Sequence, residues 1–215
     1  SIVSQWFPEK TNFIPHALPE NLFFPMTEEE ILRHNVALIG PERHDHFILF
    51  WVNRNARRKR PNDVLWSFAE FLNRLEEKEG HRKATLLMHT EPTDPEGPAL
   101  LATARDLDII DNIVFSNQRV DFEQMNVLHN ISDACINIAY AEGFGLATLE
   151  SMQCANPIIA LKTGGLTRQV VDHRDGSENG IALDPDTRTL VGSQLVPFSY
   201  EDYCTNENTA KALMD

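Results

Sequence analysis

Two glutamates, Glu142 and Glu150, stand eight positions apart and enclose a Gly-Phe-Gly turn followed by an apolar run. Carboxylates accept hydrogen bonds from hydroxyl groups, of which a sugar offers many. The two glycines let the backbone turn sharply and approach a ligand closely. Backbone N–H groups at the start of the helix predicted after the turn favour an anion such as phosphate. The stretch therefore suits a ligand that carries both hydroxyls and phosphates, such as a nucleotide-sugar.

A second candidate is the basic loop that follows the apolar run at 47–52. Its cations are Arg54, Arg57, Arg58, Lys59 and Arg60. One fork-shaped guanidinium and one ammonium from such a loop match the needs of a diphosphate. Plainer alternatives stay open at this point: a solvated basic turn, a turn-capping acid at Glu142 and an exposed helical residue at Glu150.

The elements around these residues alternate between strands and helices. Apolar runs typical of buried strands occur at 47–52, 84–89, 113–116, 135–140, 157–161 and 180–183. Helical patterns occur after Thr27 and at 63–75, 99–107, 121–131 and 166–171, and at least in the second half of 200–214, whereas 190–198 fits no element. The alternation predicts an α/β fold with a Rossmann-like, doubly wound, mainly parallel sheet.

The candidate residues lie in loops that follow predicted strands. Ligands of doubly wound sheets bind beyond the carboxyl ends of the strands, where the strand order reverses. The loops 53–59, 142–145 and 162–165 each follow a predicted strand, and the last carries Gly164-Gly165. The three loops are therefore expected to share one site, although a Gly-Gly pair by itself also fits a plain turn.

Composition narrows the class of protein. The chain has 215 residues with 42% hydrophobic and 24% charged, which is typical of a globular domain, and its formal net charge of -13 disfavours a nucleic-acid partner. Three widely spaced cysteines predict buried thiols in a reducing compartment, and neither they nor the histidines have the spacing of a metal site. No transmembrane run or signal-peptide pattern is present in the sequence, so a cytoplasmic location is expected.

Residues 142–152 resemble the acidic signature of retaining glycosyltransferases of the GT-B fold, in particular glycosyltransferase family 4 (glycosyl transferases group 1). The resemblance continues through 154–160 and 164–166. Upstream, Arg54 and Lys59 stand at the spacing of that family's phosphate-binding arginine and lysine, and 14–19 resembles the segment that joins the two GT-B domains. Among the departures, Tyr140 and Asn156 replace a small residue and a glycine.

The resemblance implies the C-terminal, donor-binding domain of a retaining, metal-independent enzyme that transfers a hexosyl group from a UDP- or GDP-sugar. The implied catalytic residues are Arg54 and Lys59, which hold the diphosphate, and Glu142, which contacts the donor sugar. The implied donor-binding residues are Gly143, Phe144, Gly145, Leu146, Ala147, Glu150, Phe115 and Asn117. Of these, Glu150 is assigned to the ribose, and Phe115 and Asn117 lie near the base. No metal and no other cofactor is expected.

The resemblance also divides the chain into a linker or crossing segment at 1–27 and a nucleotide-sugar-binding domain at 28–215. The N-terminal acceptor domain of such an enzyme is expected outside this sequence, so the isolated domain should bind a donor with little turnover. Peripheral contact of the full protein with a membrane stays open. Two alternatives are a free-standing nucleotide-binding or nucleotide-sugar-binding module and a nonenzymatic scaffold, although a scaffold has no need of the site residues.

Overall fold

The computed structural model describes residues 6–12 and 14–215. Its strands are β1 (Phe47–Val52), β2 (Ala84–His89), β3 (Ile113–Ser116), β4 (Ala134–Asn137), β5 (Ile158–Leu161), β6 (Gly180–Leu183), β7 (Thr187–Leu190) and β8 (Tyr200–Tyr203). Its helices are α1 (Glu28–Leu38), α2 (Pro61–Glu79), α3 (Leu100–Asp106), α4 (Phe122–Asn130), α5 (Leu146–Gln153), α6 (Leu166–Val170) and α7 (Asn206–Met214).

Strands β1 to β6 form one parallel sheet in the order β3-β2-β1-β4-β5-β6. The chain builds outward from β1 through β2 and β3, then crosses to the other side of β1 and builds outward through β4. The strand order therefore reverses between β1 and β4, which pair in the register Leu49↔Ala134 and Phe50↔Cys135. A crevice beyond the carboxyl ends of these two strands is the expected ligand site. The predicted α/β, doubly wound, mainly parallel sheet is confirmed.

The apolar runs form strands because the central strands are buried on both faces. Alternation along β1 sends Leu49 and Trp51 to the face covered by α2, where Leu65 and Phe68 join them in one core. Ile48 and Phe50 point to the opposite face with Leu128 of α4 and Ile131. This two-sided packing holds the carboxyl ends of the strands, and so the loops that follow them, in fixed positions.

The structure departs from the predicted elements in two places. The strand expected at 135–140 ends at Asn137, because the side chain of Asn137 accepts a hydrogen bond from the Ala139 N–H (3.2 Å) and the Tyr140 N–H bonds to the Arg58 carbonyl (2.9 Å). Those contacts turn the backbone away from β5 and toward the loop after β1. At the end of the chain, the helix expected at least in the second half of 200–214 is confirmed as α7, but 200–203 forms β8 against β7, a pairing that the sequence did not predict.

The segment before α1 is held to the domain by asparagines of α4. The N–H of Phe24 donates to the Asn126 side chain (3.0 Å), and the N–H of Met26 donates to the Asn130 side chain (2.8 Å). Thr27 then caps α1 in a capping box with Glu30. Parts of the predicted 1–27 linker, residues 1–5 and 13, lie outside the described residues, and the division into linker and domain stays a prediction.

The predicted burial of the cysteines is confirmed. Cys135, Cys154 and Cys204 are buried thiols, and burial raises the pKa of Cys135 and of Cys154 to about 12. Over residues 6–12 and 14–215, every helix is too short or too polar to cross a lipid bilayer.

Candidate functional site

The loop after β1 meets the loop after β4 at a mostly buried ion pair. The ammonium of Lys59 donates a hydrogen bond to Oε2 of Glu142, and the two side chains are only 10% and 12% exposed. Arg58 lies at the rim, with Nη1 3.8 Å from the same carboxylate oxygen. A short 3₁₀ turn at Arg57–Lys59 sends Lys59 inward. The structure thus brings together Lys59 and Glu142, which the sequence assigned to one site.

The loop after β5 packs directly on the backbone of the acidic turn. The N–H of Gly165 donates to the Gly143 carbonyl at 3.2 Å. A Cβ atom on Gly164 would stand 1.7 Å from the Glu142 carbonyl oxygen, and one on Gly165 would stand 2.5 Å from the Cα of Phe144. Only glycines permit this approach, so the Gly-Gly pair is more than a plain turn: it supports the backbone of the site.

Replacing Gly164 with alanine should therefore lower the free energy of unfolding by about 2 kcal/mol. The new Cβ must displace the Glu142 backbone, and Gly164 also has a φ of +50°. Gly143→Ala is the matched control, because no atom lies within 4 Å of its added Cβ. Urea unfolding of both variants checks this, and equal losses would contradict a supporting role for Gly164.

The turn itself is held rigidly where α5 begins. Gly145 has a φ of +88°, and a Cβ there would stand 2.5 Å from Leu166. The side-chain amide of Gln169 donates to the carbonyls of Phe144 (2.6 Å) and Gly145 (3.1 Å). The first-turn amides of a helix have no acceptor within the helix, and here they belong to Leu146 and Ala147. Their position beside Glu142 suits an anion.

Arg54 lies near the ends of β2 and β3. Its Nε donates to Asp94 (2.8 Å), and Nη1 lies 2.9 Å from Glu96. The hydrogen bond to Asp94 raises the pKa of Arg54 and lowers the pKa of Asp94. With His89 and Asn117, Arg54 lines an open cavity of about 410 Å³. The structure thus places Arg54 beside the loop with Asn117 that is predicted to lie near the nucleotide base. That Arg54 and Lys59 bind the same diphosphate stays a prediction.

Phe115 lines a larger cavity of about 670 Å³ between β3, α1 and α4, and Asn117 lines both cavities. Its walls combine apolar side chains such as Leu38 with amides such as Gln118. Beside it, Nδ1 of His89 lies 2.9 Å from the Ser116 hydroxyl, and burial lowers the pKa of His89, with His129 adding to the effect. The mixed lining suits a flat heterocycle, as ligand pockets combine apolar walls with a few polar groups.

Glu150 has a partner that the sequence did not predict. Oε2 of Glu150 lies 3.3 Å from Nε2 of His129, whose side chain is fully buried. The two residues are 21 positions apart, and the neighbours of His129 in sequence are ordinary, so no local pattern connects them. The plain reading of Glu150 as an exposed helical residue is wrong, because its side chain is only 17% exposed.

The other basic residues of the loop have structural partners. Arg57 pairs with Glu201 at 2.6 Å. Arg60 is fully buried, donates to the carbonyls of Ile138 (3.1 Å) and Cys204 (2.8 Å), and lies over the ring of Tyr203. Burial disfavours the charged form of Arg60, but Asp63 and Cys204 together outweigh it and raise the pKa of Arg60. The interpretation of the loop as a solvated basic turn is therefore wrong for Lys59 and Arg60, whose side chains are buried.

Metal-ligating side chains do not gather in groups of three anywhere in 6–12 or 14–215. The expectation of metal independence stays a prediction.

Comparisons with known proteins agree on one family and one fold. The family model of the glycosyl transferases group 1 matches residues 39–190. D-inositol 3-phosphate glycosyltransferase of Acidothermus cellulolyticus is 27% identical over 183 residues, which are 82% of this chain and 38% of that protein.

Two solved structures have the same fold. Sucrose-phosphate synthase of Thermosynechococcus elongatus superposes with a TM-score of 0.67 at 20% identity, over 99% of this chain and 45% of that one. HepE of Anabaena, in complex with UDP and glucose, superposes with a TM-score of 0.65 at 16% identity, over 91% of this chain and 44% of that one. The chain thus spans less than half the length of these proteins.

Proposed function

This chain belongs to the glycosyl transferases group 1 family, and we propose that it is the donor-binding domain of an enzyme that transfers a hexosyl group from a UDP- or GDP-sugar with retention. The observation that supports this most is the convergence of Lys59, Glu142 and the glycine turn beside the strand-order reversal. Similarity in fold to HepE, whose structure holds UDP and glucose, supports a nucleotide-sugar as the ligand.

In this proposal the diphosphate lies at the start of α5, against the amides of Gly145, Leu146 and Ala147. Lys59 reaches it from the opposite loop. An ammonium has three hydrogens, so Lys59 can bond to Glu142 and to a phosphate oxygen together. Negative charge grows on the departing nucleoside diphosphate in the transition state, and a fixed cation placed there lowers the barrier. Arg54, which pairs with Asp94 and Glu96 in this structure, is proposed to hold the diphosphate together with Lys59.

Hydroxyl groups of the ligand meet the two glutamates. Glu142, with the backbone of Gly143 and Phe144, takes hydroxyls of the donor sugar, and its buried pairing with Lys59 fixes its position. Glu150 binds the ribose, because the two ribose hydroxyls on adjacent carbons match the two oxygens of a carboxylate. Phe115 and Asn117 then lie near the base.

We further propose that transfer needs the acceptor half of the full enzyme, so that the isolated chain binds donors with little or no turnover. The proposed chemistry uses side chains and amides of the site and no metal. The proposed compartment is the cytoplasm, where buried thiols stay reduced.

Calorimetric titration of the chain with UDP, GDP and inorganic pyrophosphate tests the proposal. Glu150→Ala should weaken the nucleotide about 10- to 30-fold, since a hydrogen bond to a charged group contributes about 1.5–2 kcal/mol. Pyrophosphate has no ribose, so its affinity should not change. The matched control is Glu77→Ala, which removes an exposed carboxylate of α2.

Equal losses for nucleotide and pyrophosphate in Glu150→Ala would refute the ribose assignment. If the unaltered chain binds no nucleoside diphosphate, the proposed function is wrong. Repeating the titration in excess EDTA checks metal independence, with unchanged affinities expected.

A further inference from the structure

His129 is a fully buried histidine in the last turn of α4, and its Nε2 lies 3.3 Å from Oε2 of Glu150. An ionised carboxylate can only accept hydrogen bonds, so a hydrogen bond between these two side chains requires that Nε2 carry the hydrogen. The Glu150 side chain keeps 17% of its surface exposed. One oxygen of Glu150 thus contacts a buried histidine, while part of the side chain stays exposed.

The ring that makes this contact is held in place from several directions. Phe50 meets it edge-on at 5.0 Å between centroids, and Phe23 does so at 5.7 Å. The backbone of His129 is fixed as well, because its carbonyl accepts a hydrogen bond from the Asn156 side chain at 3.1 Å. Within the described residues Nδ1 has no hydrogen-bond partner, so no second polar contact competes with Glu150 for the orientation of the ring.

The pair lies over the two strands between which the strand order reverses. Phe50 of β1, which touches the His129 ring, is directly opposite Cys135 of β4 in the sheet register. Burial raises the pKa of the Cys135 thiol, and the nearby charge of Glu150 adds to that effect. Glu150 therefore lies near the β1–β4 pairing, where the strand order reverses.

We infer that His129 is a positioning residue that aims the Glu150 carboxylate at the ribose. This inference deepens the proposed function and rests on it. A glutamate on a helix surface samples many rotamers, and ordering such a side chain costs up to about 2 kcal/mol. The buried histidine orders Glu150 before the ligand arrives, and it leaves Oε1 to accept from a hydroxyl. Binding then meets a preorganised acceptor.

Two substitutions separate the hydrogen bond from the packing of the ring. His129→Phe keeps an aromatic ring against Phe23 and Phe50 but removes the donor. His129→Gln keeps an N–H donor near the position of Nε2. We expect His129→Phe to weaken UDP about 10-fold and His129→Gln to stay within about threefold of the unaltered chain.

Inorganic pyrophosphate reports whether the rest of the site is intact, since it lacks the ribose. Its affinity should be the same in the unaltered chain and in both variants. Equal weakening of UDP and pyrophosphate in His129→Phe would show a general distortion and overturn the inference. Unchanged UDP binding in His129→Phe would overturn it as well.

Nitrogen-15 NMR of the histidine rings gives a readout that needs no ligand. The Nε2 of His129 should carry a hydrogen, and its resonance should move in Glu150→Ala. A bare Nε2 would overturn the inference even if the chain binds UDP well. If no nucleoside diphosphate binds while Nε2 does donate to Glu150, the proposed function fails, and the ribose target of the inference fails with it.

Discussion

Replacing Arg60 with methionine should lower the free energy of unfolding by about 4 kcal/mol. The guanidinium is fully buried and donates to the carbonyls of Ile138 and Cys204 and to the carboxylate of Asp63. Methionine fills a similar volume but leaves these acceptors without their donor. An unpaired buried acceptor costs about 1–3 kcal/mol, more when it is charged. The loss is large because several acceptors are affected together.

The position of Arg60 in the fold adds to this effect. Its guanidinium lies 4.3 Å from the ring centre of Tyr203 in β8 and 5.0 Å from that of Tyr140 after β4. Through these rings and the Cys204 carbonyl, Arg60 attaches the β7–β8 hairpin and the start of α7 to the centre of the sheet. Methionine retains the packing but loses the attraction of a cation to aromatic faces.

Urea unfolding followed by tryptophan fluorescence measures the Arg60 effect, and two variants control it. Arg60→Lys keeps the charge without the planar fork, so it should recover less than half of the loss. Arg57→Met breaks an ion pair whose arginine side chain is 71% exposed, and it should change stability by about 0.5 kcal/mol or less. If Arg57→Met and Arg60→Met are equally destabilising, the buried role of Arg60 is wrong.

Arg60 also shows where sequence reasoning stops. It is one of several neighbouring basic residues, and the local sequence does not distinguish one of them from another. The partners that distinguish them come from far along the chain: Asp94 for Arg54, Glu142 for Lys59, and Cys204 for Arg60. Those contacts determine whether an arginine is buried and links parts of the fold or is exposed to solvent. The sequence predicts a basic loop but not the assignment of its members.

The fold, by contrast, is predictable from local patterns. The central strands of the parallel sheet are mainly apolar, because they are buried on both faces. The meeting of the site loops follows from the same rule, since parallel strands end at one edge. The pattern fails at β8 (Tyr200–Tyr203), which has two carboxylates in four residues. It pairs with β7 across an intervening segment from 191 to 199, which is too long to give the sequence pattern of a tight turn.

A second large effect is expected for Lys59→Met, which should reduce the free energy of unfolding by about 3 kcal/mol. The substitution leaves the Glu142 carboxylate, only 12% exposed, without its main counterion. Arg58, 3.8 Å away, compensates in part, which places the loss at the lower end of the range for a broken buried pair. The same variant should bind UDP and inorganic pyrophosphate about 100-fold more weakly, since both ligands carry the phosphates that Lys59 is proposed to hold.

The double variant Lys59→Met/Glu142→Gln separates stability from binding. It removes the unpaired charge, so most of the lost stability should return, to within about 1 kcal/mol of the unaltered chain. Pyrophosphate affinity should stay about 100-fold reduced, because the cation is still missing. Recovery of affinity together with stability would mean that Lys59 only balances Glu142. Recovery of stability without recovery of affinity identifies Lys59 as the phosphate-binding cation. Loss of Lys59 should weaken UDP and pyrophosphate equally, whereas loss of Glu150 should weaken the nucleotide alone.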